Sequence, residues 1–269
     1  MKKVGNILLS IVPFFMMFAV QFSISFVYAL VYVILTGKMV EDLIPIVTIS
    51  HLVTAIAAFL WYNFVFGKEN KKNPLHVFRW KTWVIMIAFS VSLQALIQVA
   101  FIGLSAVAPT WIEAYSEAME QSGLGELSLL STIATLVLAP IGEELSFRGL
   151  TYQYLRRAGL GVVAANILQA LLFGIMHMQP IQIVYASVLG LLLGYLREKY
   201  QSIYIPIVMH CIFNFIGTYG VSLLEDFEQS SSLVLILLGV SILLLILGII
   251  MMKKDSKTVN VTQEEIISE

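Results

Sequence analysis

Apolar residues gather along the chain in long runs separated by short polar stretches, and most runs have the length of a bilayer crossing. A helix needs about 20 mainly apolar residues to traverse a hydrocarbon core of roughly 30 Å. By that rule, spans are expected at 6–36, 43–66, 82–108, 127–147, 161–178, 181–196, 204–222 and 232–252. Pro180 and Pro206 interrupt the stretch that holds the fifth to seventh. The first run is longer than a signal-peptide core and has no small-residue cleavage site after it, so it is expected to stay in the mature protein. The polar stretch 109–126 reads as an outer loop with a short amphipathic helix. The predicted fold is all-α: a polytopic membrane helical bundle of about eight transmembrane helices. It forms a single membrane domain over 1–252, followed by a polar cytoplasmic tail over 253–269.

Charge gives the bundle a direction. With eight spans, the N-terminus, the C-terminus and alternate loops share one side. That side holds fifteen of the sixteen Lys and Arg residues, and Lys38 alone falls opposite. The opposite side carries Glu113, Glu117, Glu120, Glu126, Glu225, Asp226 and Glu228. Lys and Arg collect in cytoplasmic loops. Both termini are therefore expected in the cytoplasm, and a miscounted span would scramble the bias.

Composition closes off other classes. The chain of 269 residues is 59% hydrophobic and 12% charged, against roughly 45–50% and 25% in an ordinary soluble domain. Its mean hydropathy is +0.89. A net charge of −1 gives a phosphate backbone nothing to bind, so no nucleic-acid partner is expected. A single cysteine excludes an internal disulfide and every multi-cysteine zinc site.

Ionisable side chains at membrane depth are costly and default to functional roles. The fourth segment ends Ala139-Pro140-Ile141-Gly142-Glu143-Glu144-Leu145-Ser146-Phe147-Arg148. Adjacent residues point about 100° apart on a helix, so Glu143 and Glu144 face different partners. Glu144 and Arg148 are four apart and are expected to pair, which leaves Glu143 as the carboxylate without a local counter-charge. Desolvation suits such a group to take a proton from water. The bland alternative is an interfacial Glu-Glu-Arg anchor that does no chemistry.

A turn signal brings in the second group. Glu143 lies 17 residues before Leu160 and His177 lies 17 after it, with Leu160 inside Gly159-Leu160-Gly161. If two antiparallel helices meet there, Glu143 and His177 stand at equal height, roughly 25 Å from the apex. His210 and Asn214 are four apart on one face, just after Pro206. A His and an Asn so presented serve as ligand plus orienting group, or as two donors to an oxyanion. A straight sixth helix of 16 residues would set His210 nearer the cytoplasm than His177, so that helix must tilt or the Pro180 turn must lie within the bilayer. Gly190 and Gly194 form a small-xxx-small pair for close helix approach.

Other polar residues read as ordinary. His51, near the outer start of the second span, and His76, in the basic loop, are taken as surface or interface residues. Cys211 has no basic neighbour to form a thiolate, and Ser146 has no base at a recognisable offset. Trp80 and Trp83 border the basic loop 68–81 as headgroup anchors.

Glu143-Glu144-x-x-x-Arg148, Phe173-x-x-x-His177 and His210-x-x-x-Asn214, in that order on separate segments, resemble the three-motif signature of the CPBP intramembrane proteases. That family includes the type II CAAX prenyl endopeptidases and bacterial bacteriocin-processing or immunity proteins. The resemblance covers about 127–220. It implies an intramembrane endopeptidase in which Glu143 activates water, His177 helps to hold it, and His210 and Asn214 complete the site. Arg148 would be structural through Glu144, with Phe173 in support. Two versions stay open: a zinc site built from Glu143, His177 and His210, or a metal-free site in which His210 and Asn214 stabilise the oxyanion. The chain has no H-E-x-x-H, and the residue types lean toward the metal-free version. The implied substrate is a peptide precursor or membrane-associated protein, and the implied location is a bacterial cell membrane. The alternatives are a non-catalytic membrane partner, such as a bacteriocin immunity protein or sensor-kinase regulator, and a small transporter with a Glu/His proton relay. No inverted repeat supports the last.

Overall fold

The computed structural model describes residues 2–67, 78–121, 128–220 and 231–268. His76, Lys68, Lys71, Lys72, Glu126 and the acidic cluster at 225–228 lie outside them. The described residues form helices and no strands. In chain order these are α1 (Lys2–Thr36), α2 (Ile44–Phe66), α3 (Trp80–Val107), α4 (Pro109–Gln121), α5 (Leu129–Arg157), α6 (Val162–Met176), α7 (Pro180–Tyr200), α8 (Tyr204–Phe215) and α9 (Ser231–Ser268).

The protein is a multi-pass, all-α membrane protein, and each predicted span contains a helix among its described residues. Among the described residues, six helices are long and apolar enough to cross a bilayer: α1, α2, α3, α5, α7 and the Val234–Asp255 stretch of α9. The fifth and seventh of the eight expected spans are short: α6 has 15 residues, and α8 has 12 with a π-helical continuation over Ile216–Gly220. At 1.5 Å per residue α6 reaches about 22 Å, against a hydrocarbon core of roughly 30 Å. α7, in contrast, runs to 21 residues, longer than the stretch 181–196 predicted for it. Its apolar run is extended by Arg197 and Lys199 in the last turn, where positive charge suits the helix C-terminus. The amphipathic helix expected in 109–126 is α4, with Pro109 at its first position.

The described chain divides into two compact units, the first drawn from 1–71 and 113–194 and the second from 72–112 and 195–269.

In the first unit, α2 lies along α5. Both glycines of α5 mark the contact: a Cβ at Gly142 would stand 3.2 Å from Thr54 Cγ2, and one at Gly149 would stand 3.0 Å from the Tyr62 ring. Contact positions rise together along both helices, so α2 and α5 run parallel, as alternate spans should. Trp61 Nε1 donates to the Tyr154 hydroxyl at 3.0 Å, and Thr151 Oγ1 donates to the Ser10 carbonyl of α1 at 2.9 Å.

The α5–α6 connection is the turn read from Gly159-Leu160-Gly161. Gly159 takes φ +93°, the left-handed conformation that glycine adopts without steric cost. Leu160 N–H then reaches back to the Leu155 carbonyl at 3.2 Å, and the Leu160 side chain packs on Tyr152, Leu155 and Ala165. α6 and α7 follow as a tight hairpin. Gly190 sits where a Cβ would be 3.1 Å from Ala170, and Gly194 leaves room for the Asn166 side chain. Asn166 Nδ2 and Gln169 Nε2 donate to the carbonyls of Leu191 and Gly190, each at 3.0 Å. The small-xxx-small pair thus places α7 against the polar side chains of α6.

The second unit packs α3 against α8 and α9. Ser92 Oγ donates to the Ser241 carbonyl at 2.7 Å. Arg79, the residue before α3, pairs with the buried Asp255 of α9 at 2.6 Å, and the Tyr200 hydroxyl donates to the same carboxylate at 3.2 Å.

Candidate active site

The acid-bearing helix is irregular where the chemistry is expected. α5 starts on a capping box in which Ser128 and Ser131 exchange side-chain and backbone hydrogen bonds. It widens into π geometry over Ala134–Leu138, tightens over Ala139–Glu144 and widens again over Leu145–Thr151. Pro140 has no N–H for the preceding turn, and its ring crowds the carbonyl four residues back. A wide turn just before it relieves that conflict, and such turns gather at functional sites. Glu143 and Glu144 occupy the regular turn between the two wide ones.

Glu144 and Arg148 are both fully buried and form the predicted ion pair, Nη1 to Oε1, at 2.9 Å. Removing two charges from water is costly, and burial persists only with close compensation. Phe173 supplies part of it: the Arg148 guanidinium stands 4.3 Å from the centre of its ring. Phe147 meets the same ring edge-on, with centroids 5.4 Å apart. Gly190 completes the enclosure, since a Cβ there would be 3.1 Å from Arg148 Nη2. Glu143 differs. It is only partly buried, while Glu144 is held by Arg148.

His177 caps the C-terminus of α6, in the short turn before Pro180. Met178 follows with φ 56°, a left-handed conformation rare outside glycine and asparagine. This turn reverses the chain in three residues and leaves His177 half-buried at its mouth. Its Nδ1 lies 2.9 Å from the Phe173 carbonyl. A carbonyl only accepts, so Nδ1 carries a proton and Nε2 is the ring nitrogen left for another partner. The imidazole also meets the Phe173 ring edge-on, centroids 5.1 Å apart at 88°. Phe173 therefore touches both the arginine of the first motif and the histidine of its own.

α2 packs beside α5 here, with Thr54 and Ala55 against Gly142. The buried side of α2 runs through Ser50, Thr54, Ala55, Ala58 and Tyr62, and His51, read in the sequence as a surface or interface residue, is half-buried at its edge. Reading that side required knowing which helix covers it.

In the second unit, α8 carries His210 and Asn214. His210 is buried, and Asn214 is half-buried four residues on. α3 holds the backbone beside each: Ser90 Oγ donates to the Met209 carbonyl at 3.5 Å, and Gln94 Nε2 to the Phe213 carbonyl at 2.9 Å. The spacing of four on α3 matches the spacing of four on α8, so one helix face sets the other. After Phe215 the chain again adopts π geometry, over Ile216–Gly220.

Among the described residues, no group of three or more His, Cys, Asp or Glu side chains is placed to hold a metal ion.

A partly buried carboxylate, an imidazole held at a backbone carbonyl and a buried arginine–glutamate brace are all carried on apolar helices of a membrane protein. Residues 125–216 match the model of the family described as type II CAAX prenyl endopeptidase Rce1-like. The matched segment contains all three motifs and agrees with their CPBP resemblance, and the family implies a protease. No curated protein and no solved structure matches the chain.

Proposed function

We propose that the protein is an intramembrane endopeptidase that cleaves a peptide precursor or a membrane-associated protein with water activated by Glu143. The observation that carries this reading is the division of labour between neighbouring carboxylates. Glu144 is locked in a buried ion pair, whereas Glu143 stays partly exposed.

In the reaction, Glu143 takes a proton from water as its oxygen bonds to the scissile carbonyl carbon. His177, with Nδ1–H held by Phe173, accepts a hydrogen bond from that water through Nε2. The carbonyl oxygen becomes an oxyanion. The resemblance assigns His210 and Asn214 to donate to it, and their spacing on α8 presents both donors from one face. Glu143 then returns its proton to the leaving amine as the C–N bond breaks. No step is routed through zinc.

The charge bias of the loops supports a bacterial-type plasma-membrane protein with both termini in the cytoplasm. The test is cleavage of quenched peptides anchored in vesicles by a C-terminal apolar segment, with and without a farnesyl group. Wild-type protein should cleave at least one set, and Glu143→Ala and His177→Ala should not. Unchanged biological activity in both variants would instead favour a non-catalytic membrane partner.

A further inference from the structure

We infer that the second unit carries a binding site for the anionic phosphodiester headgroup of a membrane phospholipid, built where the start of α3, the end of α7 and the end of the α9 span meet around Asp255.

Asp255 closes the apolar stretch Val234–Asp255 and is fully buried. A carboxylate out of water persists only when its lone pairs are taken up, and each oxygen here has its donor. Arg79 Nη2 donates to Oδ1 at 2.6 Å, and the Tyr200 hydroxyl donates to Oδ2 at 3.2 Å. Arg79 is the residue before α3 and Tyr200 is the last residue of α7, so three helix ends are tied at one point. The exposed rings of Trp80, Trp83 and Tyr195 surround this end, and such rings sit at the headgroup level of a bilayer.

Asp255 answers only part of the positive charge gathered there. The stretches 79–81, 197–200 and 253–255 carry six cations, Arg79, Lys81, Arg197, Lys199, Lys253 and Lys254, against two acids, Glu198 and Asp255, an excess of four. Arg79 is part-exposed, gives Asp255 a single hydrogen bond, and keeps an Nε that has no partner. A guanidinium has five N–H donors in a fork that fits a phosphate, so most of this fork is unspent. Lys81 and Lys199 form no salt bridge among the described residues. Each is held beside a ring instead, Lys81 Nζ 5.8 Å from the Trp80 centroid and Lys199 Nζ 5.9 Å from that of Tyr195. One part-used arginine and two ammonium groups at ring height, offered from α3 and α7, suit a phosphodiester whose acyl chains lie along the apolar helices below. Basic pockets between membrane helices take lipid headgroups in this way.

The experiment is native mass spectrometry of the full chain released from detergent micelles, titrated with dioleoyl-phosphatidylglycerol, dioleoyl-phosphatidylcholine or free glycerol phosphate. Wild-type protein should retain phosphatidylglycerol in preference to phosphatidylcholine and should not retain glycerol phosphate. The double variant Lys81→Gln/Lys199→Gln should weaken that retention on the order of 10-fold or more. Lys2→Gln/Lys3→Gln, which removes the same charge from exposed positions of α1 outside the cluster, should leave it unchanged. Equal weakening in the two double variants would mean diffuse attraction to basic surface and would overturn the site, as would equal retention of both lipids by wild type. Glycerol phosphate held as tightly as the lipid would make the ligand a soluble phosphate and overturn the lipid assignment. Should Lys81→Gln/Lys199→Gln fail to fold, Lys81→Gln alone decides: weaker retention than in Lys3→Gln supports the site, and equal retention overturns it. Lipid retention is read without a peptide substrate, so the result is independent of the endopeptidase reading.

Discussion

His177 Nδ1 is held 2.9 Å from the carbonyl oxygen of Phe173, one turn earlier on the same helix. This contact places a proton on Nδ1 and leaves Nε2 for another partner. It also joins two parts of the site, because the Phe173 ring lies against Arg148. The second motif therefore acts through a backbone carbonyl and a ring, and only the carbonyl survives substitution at 173.

That separation predicts the behaviour of Phe173→Leu. Its carbonyl still anchors His177, but the desolvated cation–π contact is lost. Stability in detergent should fall by about 2 kcal/mol or more, measured by denaturant unfolding. The pH dependence of cleavage should keep its shape, because the His177 tautomer is unchanged.

The Glu144–Arg148 pair is fully buried, so breaking it leaves one uncompensated charge. Glu144→Gln and Arg148→Met should each cost about 3–5 kcal/mol. The double variant should cost clearly less than the two added together. Unfolding midpoints of the three proteins check this, and strict additivity would mean the pair does not act as a unit.

Close approach at Gly142 predicts a size threshold. Gly142→Leu should separate α2 from α5 and abolish cleavage. Gly103→Leu on α3, where a Cβ meets nothing within 4 Å, should leave expression and cleavage unchanged. A thermal unfolding comparison alongside the rates distinguishes loss of site geometry from loss of fold.

α4 carries a test outside the membrane. The Tyr115 hydroxyl meets that of Tyr185 at 3.3 Å, and burial raises the Tyr115 pKa above its ordinary value of 10.0. Above that value the unfolded chain has lost a proton that the folded protein keeps. The stability contribution is therefore complete below pH 10.0 and declines as pH rises toward the folded-state pKa. Alkaline unfolding curves should show this decline, and Tyr115→Phe should flatten it.

Much of the fold was legible because membrane helices advertise themselves by length and hydropathy. The Gly159 turn, the i,i+4 pairing of Glu144 with Arg148 and the close approach at Gly190 and Gly194 were also local signals. The irregular ends of α6 and α8 were harder to see, since their apolar runs continue into the turn at His177 and into the π geometry that starts at Ile216. The π segments of α5 depend on how Pro140 and its neighbours pack, which no pattern along the chain encodes.

The role of Glu143 is tested most directly by the hydrolysis rate of vesicle-anchored quenched peptides by purified wild-type protein and by Glu143→Gln, which keeps the side chain's size but cannot take the proton. Wild type should cleave, and Glu143→Gln should lose on the order of 10²- to 10⁴-fold in rate, with peptide binding retained. Equal rates in the two proteins would contradict a Glu143-activated water.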